Sequence, residues 1–325
     1  MLLLSRDQAN AWVWAPREVE PVVPNSISIV GYPMSLIAPQ DDGFVNRLRT
    51  KVRETEALPR YVRQTFLGRD AQKIIERTRI GVVGLGGGGS HVVQQLAHIG
   101  FKQFRLFDGD KVDDSNLNRL VGATAADVEL KTLKTDIAQR VIRSIAPGAD
   151  VRAFSDRWQS NPGALRSADV VVGCVDSFAE RRELEVACRR YLIAYVDIGM
   201  DINEVQGEAP RMGGQVILSL PDTMCFFCMG FLNDARLAKE AALYGAAGGR
   251  PQVIWPNGIL GSTAVGVIMD LITGWAGQPR RPIYLSYDGN ANTLVPHVRL
   301  KYLDTTACEH YVGTRVGDPT FRHIE

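Results

Sequence analysis

The hydrophobic pattern of the chain alternates between short apolar runs and amphipathic stretches. Residues 79–84 carry the branched apolar side chains of a buried strand, and residues 90–99 repeat apolar side chains at helical spacing. Further strands are predicted at residues 150–154, 169–174 and 192–196, with helical stretches between them. Because alternating strands and helices form parallel β-α-β units, we predict an α/β fold with a doubly wound, mostly parallel sheet. We expect its C-terminal strands to be antiparallel.

A glycine turn joins the first of these strands to its helix. Gly84, Gly86 and Gly89 stand in G-x-G-x-x-G order, with Gly87 beside them. Glycines there allow the backbone to turn sharply and to approach a phosphate at the first turn of a helix. Asp108 ends the second strand, where a carboxylate can bind ribose hydroxyls. The fold is therefore expected to be Rossmann-like, although a purely structural glycine turn fits the same spacing.

A dense polar cluster begins at the end of the second strand. It comprises Asp108, Asp110, Asp113, Asp114, Ser115, Asn116, Asn118 and Arg119. Carboxylates can hold ribose or a hydrated metal ion, amides can orient phosphate oxygens, and an arginine can neutralise charge that develops on an α-phosphate. We therefore expect the chain to bind ATP with Mg²⁺ in preference to NAD. The alternative is a solvated acidic loop in which Asp114 or Ser115 begins a helix.

Two stretches resemble the ThiF/MoeB-like adenylyltransferases, whose adenylation domain is shared by ubiquitin-activating enzymes: GVVGLGGGGS at residues 81–90 and LFDGDKVDDSNLNR at residues 106–119. The likeness covers about residues 60–275. The resemblance implies an enzyme that uses ATP to adenylate the C-terminal carboxylate of a ubiquitin-like or sulfur-carrier protein that ends in glycine, releasing pyrophosphate. Adenylation of a small peptide, as in microcin-type enzymes, and the role of a non-catalytic adaptor are the alternatives.

The resemblance also implies which residues act on ATP. Arg119 and Lys134 would bring positive charge to the phosphates, and Asp176, just after a strand, would bind Mg²⁺. Arg63, in the motif RYVRQ, would reach the ATP of the other subunit in a homodimer. A helix N-cap at Asp176 and a surface ion pair at Arg63 are the alternatives. The expected nucleotide-binding set is Gly84, Gly86, Gly87, Gly89, Asp108, Asp110, Ser115, Asn116, Arg119 and Lys134.

Two lysines are candidates for the phosphate contact. A single helix is predicted over residues 125–145, and Lys131 and Lys134 lie three positions apart on it, so both could reach one phosphate. In the family, the phosphate-binding lysine stands at a set distance before the proline that ends this helix. Counting back from Pro147 selects Lys134, and Lys131 is interpreted as a surface lysine.

Cys225 and Cys228 form a CxxC after the apolar stretch GGQVILSL. Two thiolates at this spacing can share a zinc ion, and a closed structural site needs four ligands. The family supplies the other two from a second CxxC, but the corresponding place here reads CEHY and offers Cys308 and His310. We expect a structural Zn²⁺ site with this Cys₃His ligand set. The alternative is a decayed site whose cysteines are ordinary thiols.

The remaining cysteines argue against an enzyme thioester. Many relatives carry a nucleophilic cysteine after the first CxxC, but residues 229–307 contain none. Cys174 ends a predicted buried strand and Cys188 lies among apolar residues, so neither has the surroundings of an activated thiolate.

Composition is that of a soluble, cytoplasmic enzyme. The 325 residues carry a net charge of +1, and no extended basic run indicates nucleic-acid binding. The opening MLLLSRDQ is too short for a signal-peptide core or a membrane span. We divide the chain into a β-rich N-terminal extension of unknown role, residues 1–57, and an ATP-binding adenylation domain, residues 58–325.

Overall fold

The computed structural model describes residues 2–4, 9–11, 27–29, 35–37, 59–68, 70–204, 206–221, 223–242, 251–277, 283–303 and 308–311. Near the N-terminus it contains two separate antiparallel strand pairs. β1 (Leu2–Leu4) pairs with β2 (Ala9–Ala11), and β3 (Ile27–Ile29) pairs with β4 (Ser35–Ile37). The division of the chain at residue 57 stays a prediction.

An eight-stranded sheet lies at the centre of the described residues. Its strands are β5 (Arg79–Val83), β6 (Gln103–Phe107), β7 (Asp150–Phe154), β8 (Val170–Gly173), β9 (Ala194–Asn203), β10 (Arg211–Ser219), β11 (Ile283–Asp288) and β12 (Thr293–Pro296). The spatial order is β12-β11-β10-β9-β8-β5-β6-β7. Strands β5 to β9 pair in parallel and β10 to β12 pair antiparallel, which confirms the predicted fold class.

Helices cover both faces of this sheet. They are α1 (Ala71–Arg77), α2 (Gly87–Ile99), α3 (Ala125–Glu129), α4 (Lys134–Ile145), α5 (Pro162–Arg166), α6 (Phe178–Arg190), α7 (Asp234–Ala242) and α8 (Ile254–Thr273). Short 3-10 segments occur at Pro59–Leu67, Asp114–Asn116, Trp158–Ser160 and Val298–Lys301. Within the described ranges, we find no helix with the length and apolar character needed to cross a membrane.

The sheet separates two apolar cores. Val82 and Val172 belong to a core shared with α2, α4 and α8, whereas Val83 and Val171 belong to a core shared with α5 and α6. Alternate residues of a strand face opposite sides, so both sides of these strands are buried. This explains why the strands appear in the sequence as continuous apolar runs.

The prediction of one helix over residues 125–145 is wrong. A short break separates α3 from α4, and within it Lys131 has a left-handed φ of +51°. Leu133, the last residue of the break, pairs with Lys111 in an isolated antiparallel β-bridge. The break is therefore stabilised by a distant part of the chain. Lys134 consequently becomes the first residue of α4.

Asp127 connects α3 to α4. Its carboxylate accepts hydrogen bonds from the N–H and the hydroxyl of Thr124 at 2.8 and 2.7 Å, and from both terminal nitrogens of Arg140 at 2.7 Å. The hydrogen bonds from Arg140 hold the pKa of buried Asp127 well below its usual range, against the opposing effect of burial. A carboxylate with a lowered pKa stabilises the fold above about pH 4, and this contribution is lost as the pH falls below that value.

We expect Asp127→Asn to lower the free energy of unfolding at neutral pH by about 2 kcal/mol, because hydrogen bonds to a charged group are lost. The difference from the unaltered chain should shrink as the pH falls below about 4, since the Asp127 carboxylate then takes up a proton when the chain unfolds. Urea unfolding at a series of pH values measures both effects. Glu129→Gln, at an exposed position of α3, is the control. A difference that does not change with pH would contradict the role given to the Asp127 charge.

Candidate active site and metal-ligand cluster

A cavity of about 540 Å³ opens at the carboxyl ends of the parallel strands. Its lining includes Val83 at the end of β5, Phe107 at the end of β6, Cys174 just after β8 and Ile198 of β9. The first turns of α2 and α6 and the N-terminal half of α8 complete the wall. Open α/β sheets bind their ligands at this edge, because the loops and helix N-termini that contact ligands meet there.

The glycine turn borders this cavity. A Cβ on Gly84, which has φ of +86°, would lie 2.5 Å from the carbonyl oxygen of Cys174, and a Cβ on Gly89 would lie 2.0 Å from the carbonyl oxygen of Gly84. Gly86 differs, because open space surrounds it. Gly86 and Gly87 both line the cavity. The glycines of the turn therefore differ: Gly84 and Gly89 permit close backbone packing, and Gly86 leaves the backbone open at the cavity.

Asp108 joins the glycine turn to the end of β6. One carboxylate oxygen accepts the N–H of Leu85 at 2.6 Å, and the other accepts the N–H of Asp110 at 2.8 Å. Burial raises the pKa of Asp108, and the charge of Lys134 opposes that shift. Each oxygen keeps a second lone pair, so Asp108 can organise the turn and still accept a hydrogen bond from a ligand.

Lys134 and Arg119 bring positive charge to the cavity from different parts of the chain. The Nζ atom of Lys134 lies 2.7 Å from a carboxylate oxygen of Asp110, and Arg119 donates a hydrogen bond to the side-chain oxygen of Asn118 at 3.0 Å. Both cations belong to the cavity lining, whereas Lys131 is exposed and lies outside the described lining. Of the two candidate lysines, Lys134 is therefore the one placed to contact a ligand.

Asp176 lines the cavity beside the first turn of α6. Its Oδ1 atom accepts a hydrogen bond from the side-chain amide of Gln252 at 3.2 Å. The N-cap of α6 is the next residue, Ser177, whose hydroxyl accepts the N–H of Glu180 at 3.2 Å. The helix-cap role considered for Asp176 is thus filled by its neighbour, and the Asp176 carboxylate is exposed at the cavity.

Some expected residues lie outside the described lining of the cavity: Arg63, Gly89, Ser115 and Asn116. Ser115 and Asn116 instead donate hydrogen bonds to Asp113, at 2.5 and 3.1 Å, and so stabilise the turn after β6. Arg63 is exposed on the 3-10 segment Pro59–Leu67.

A buried ion pair that was not expected from the sequence lies at the cavity wall. Nη1 of Arg181, on α6, lies 2.8 Å from a carboxylate oxygen of Asp197, on β9. Burial raises the pKa of Asp197, and the charge of Arg181 opposes the shift. A signal was available, since Arg181 stands three positions before apolar Leu184 and so lies on the same helical face. Further lining residues that the sequence did not indicate are Asp156, Arg157, Trp158, Gln159, Glu180, Glu183, Gln252 and Asn257.

Four metal-ligand side chains meet outside the described lining of the cavity: Cys225, Cys228, Cys308 and His310. Their ligand atoms all lie within 4.8 Å of one another. The Cys228 sulfur is 3.6 Å from each of the Cys225 and Cys308 sulfurs and 3.3 Å from Nδ1 of His310. Zinc–sulfur bonds of about 2.3 Å in a tetrahedral site place two sulfurs about 3.8 Å apart, and sulfur and nitrogen about 3.6 Å apart. The three distances to the Cys228 sulfur are therefore close to those of a tetrahedral zinc site.

The two other cysteines have the surroundings of unreactive thiols. Burial raises the pKa of both Cys174 and Cys188. A thiol with a raised pKa has little of the nucleophilic thiolate at neutral pH. Neither residue has the electrostatic surroundings that a thioester-forming cysteine requires.

Two glycine substitutions should separate the packing role of the turn from its exposure to ligands. Gly89→Ala is expected to cost about 3 kcal/mol of stability, because its Cβ would overlap the backbone of Gly84. Gly86→Ala is expected to cost less than about 1 kcal/mol, because open space surrounds that position. Thermal unfolding compares the two variants, and the opposite order would refute the assignment.

Most of the chain matches a known protein family. Residues 59–309 match the ThiF family. The chain is 28% identical over 177 residues to the sulfur carrier protein ThiS adenylyltransferase of Escherichia coli (strain K12), covering 52% of this chain and 66% of that protein. It is 29% identical over 185 residues to the ubiquitin-like modifier-activating enzyme 5 of Bombyx mori, covering 53% of this chain and 44% of that enzyme. The chain therefore spans less than two thirds of the length of these relatives.

A solved structure has a similar fold. The crystal structure of Escherichia coli MccB with AMPCPP and MccA matches with a TM-score of 0.62 at 18% identity, covering 79% of this chain and 76% of that one. This likeness supports the Rossmann-like architecture. The family match spans the glycine turn, both cavity cations, Asp176 and the three cluster cysteines. The chain belongs to the ThiF family.

Proposed function

We propose that this chain is an adenylyltransferase, which uses ATP to convert a carboxylate into an acyl-adenylate and releases pyrophosphate. The observation that carries the proposal is the cavity at which Gly86, Arg119, Lys134 and Asp176 converge from separate parts of the chain. They supply an open glycine backbone, two cations and a carboxylate, which are the groups that a triphosphate with a divalent cation requires. The names of the two curated relatives support the same activity.

The proposed reaction needs no general base, because a carboxylate substrate is already ionised at neutral pH. Its oxygen attacks the α-phosphorus of ATP, and the bond from that phosphorus to the oxygen of the leaving pyrophosphate breaks. Arg119 and Lys134 stabilise the negative charge that develops on the phosphate oxygens. Asp176 would hold Mg²⁺, which when bound neutralises part of the charge of the triphosphate.

Asp110 is suited to orient Lys134 before ATP binds. It takes one hydrogen bond from the ammonium group, at 2.7 Å, which leaves two N–H donors for phosphate oxygens. The Asp110 side chain is 73% exposed, so the pair contributes little to stability and can be exchanged for a phosphate contact at small cost.

We propose that the substrate is the C-terminal glycine of a ubiquitin-like or sulfur-carrier protein. The relatives named above support this class, since one is named for a sulfur carrier and the other for a ubiquitin-like modifier. A small peptide is the alternative, supported by the fold shared with MccB, which is named as a microcin C7 biosynthetic enzyme. The presence of Arg119, Lys134 and Asp176 at one cavity argues against an inactive adaptor.

We also propose that Cys225, Cys228, Cys308 and His310 hold one structural Zn²⁺. The donor set and the three distances to the Cys228 sulfur support a closed site with four protein ligands. None of the five cysteines forms a disulfide, which suits an enzyme of the reducing cytoplasm, the location that we propose.

A homodimer would allow Arg63 to act at the cavity of the other subunit. Arg63 lies between Val62 and Phe66, which are 53% and 68% exposed, and the ring of Phe66 lies 5.7 Å from that of half-exposed Trp275 in an edge-on contact. Large exposed aromatic and apolar side chains on one surface favour a protein interface. We therefore propose that a second copy of the chain covers this surface.

Lys134→Met should slow ATP–pyrophosphate exchange about a hundredfold, because a cation that stabilises a transferring phosphate contributes about 3 kcal/mol. Lys131→Met, three positions away and outside the described lining, should keep the exchange rate of the unaltered chain. ATP–pyrophosphate exchange is measured with carrier proteins that end in glycine and with small peptides. The same substrates with an amidated C-terminus are the controls, because they lack the carboxylate that would be adenylated. Tight binding of NAD, with no ATP binding by calorimetry, would refute the proposed reaction.

Mixing two inactive variants should test whether Arg63 acts across subunits. Arg63→Ala lacks the cation and Asp176→Ala lacks the metal-binding carboxylate, so a mixed dimer has one site that receives both groups intact. We expect part of the exchange activity to return on mixing. No recovery in dimers proven to contain both variants would show that Arg63 acts within its own subunit or has no role.

A further inference from the structure

Beneath the cysteine–histidine cluster lies a buried carboxylate that the proposed reaction does not use. Glu185, on α6, is 0% exposed, and Arg189, one turn further along the helix, is 1% exposed. Their charged groups lie 3.5 Å apart. Removing such groups from water costs several kcal/mol per ion, and an ion pair alone is a poor source of stability. Their other contacts therefore indicate what the pair does.

Glu185 contacts both segments that supply the metal ligands. One of its oxygens accepts the backbone N–H of Phe226, which stands inside the CxxC, at 2.9 Å. The other oxygen accepts the hydroxyl hydrogen of Tyr311, the residue that follows His310, at 3.3 Å. Two segments that are far apart in sequence thus meet at one carboxylate. These are the segments that must stay aligned for the four ligand atoms to surround one ion.

Arg189 completes the arrangement. Its guanidinium donates to the Ser219 hydroxyl oxygen at 2.9 Å, so the Ser219 hydrogen is directed at Glu185, 2.6 Å away. Arg189 also donates to the carbonyl oxygen of Thr223, just before the CxxC, and lies over the Tyr311 ring at 5.0 Å from its centre. Every contact of Glu185 named here comes from a donor or a cation, which suits an ionised carboxylate.

We infer that Glu185 is a positioning residue for the metal-ligand cluster, which aligns the CxxC with the segment of Cys308 and His310 through Phe226 and Tyr311. This inference rests on the zinc site of the proposed function. Groups that orient metal ligands through hydrogen bonds typically change metal affinity 10- to 100-fold when they are removed. Here Glu185 contacts neighbours of the ligands, the backbone N–H of Phe226 and the hydroxyl of Tyr311, and so would orient the segments that carry the ligands.

Tyr311→Phe is the sharpest test, because it removes a single hydroxyl and keeps the ring against Arg189. Tyr302→Phe, at a side chain that is 82% exposed, is the matched control. Zinc content of the purified full-length chain is measured by mass spectrometry, and zinc affinity by competition with a chromogenic chelator. We expect Tyr311→Phe to weaken zinc binding about tenfold and Glu185→Gln to weaken it further, whereas Tyr302→Phe should match the unaltered chain.

A merely structural role predicts a different result. Tyr311→Phe would then lower the thermal stability of the metal-free chain and leave its zinc affinity unchanged, which would overturn the role given to Glu185. If Glu185→Gln does not fold, the comparison of Tyr311→Phe with Tyr302→Phe still decides the question. An unaltered chain that binds no zinc would overturn the proposed metal site, and this inference with it. An unaltered chain that binds zinc, together with a Tyr311→Phe variant of unchanged zinc affinity, would overturn this inference alone.

Discussion

The close approach of three backbone segments at the end of β5 is the constraint on which the candidate active site depends. The turn after β5, the start of α2 and the residue that follows β8 come too near one another for any side chain at Gly84 or Gly89. Hydrogen bonds from Gly84 to Phe107 and from Cys174 to Val83 hold the ends of β5, β6 and β8 in register. Because these strand ends are fixed, Asp108 and Asp176, which follow two of them, are brought to one cavity.

Helix α6 links this cavity to the metal-ligand cluster. Its buried charged residues, Arg181, Glu185 and Arg189, recur every four positions and so lie along one face of the helix. Arg181 pairs with Asp197 of β9 at the cavity, while Glu185 and Arg189 bind Ser219 of β10 beside the cluster. Buried ions have a strong preference for one arrangement, since breaking a buried pair costs about 3–5 kcal/mol. The helix is thereby fixed in register against β9 and β10.

Much of this architecture follows from periodicity and spacing, and the exceptions have physical causes. Apolar runs buried on both sides predicted the parallel strands, and the glycine spacing predicted the turn. The break before α4 was missed because Leu130 and Leu133 keep the helical apolar period, while the bridge from Lys111 that stabilises the break is non-local. Ser115 and Asn116 lie outside the described lining, and proximity in sequence does not tell which side of a turn a side chain faces. The buried Arg181 was overlooked because a charged residue on an apolar helical face looks like an interruption of the pattern.

The ion pairs of the cavity differ in how readily they can be exchanged for a ligand. Lys134 pairs with an exposed carboxylate, and such pairs contribute about 0–1 kcal/mol, so a phosphate can replace Asp110 at little cost. Arg181 pairs with Asp197 where both are buried, and it also donates to the Val175 carbonyl, so moving it would leave a buried charge without a partner. Both cations line the same cavity, yet of the two Lys134 can exchange its partner for a ligand at the smaller cost. Arg181 is instead a fixed part of the cavity wall.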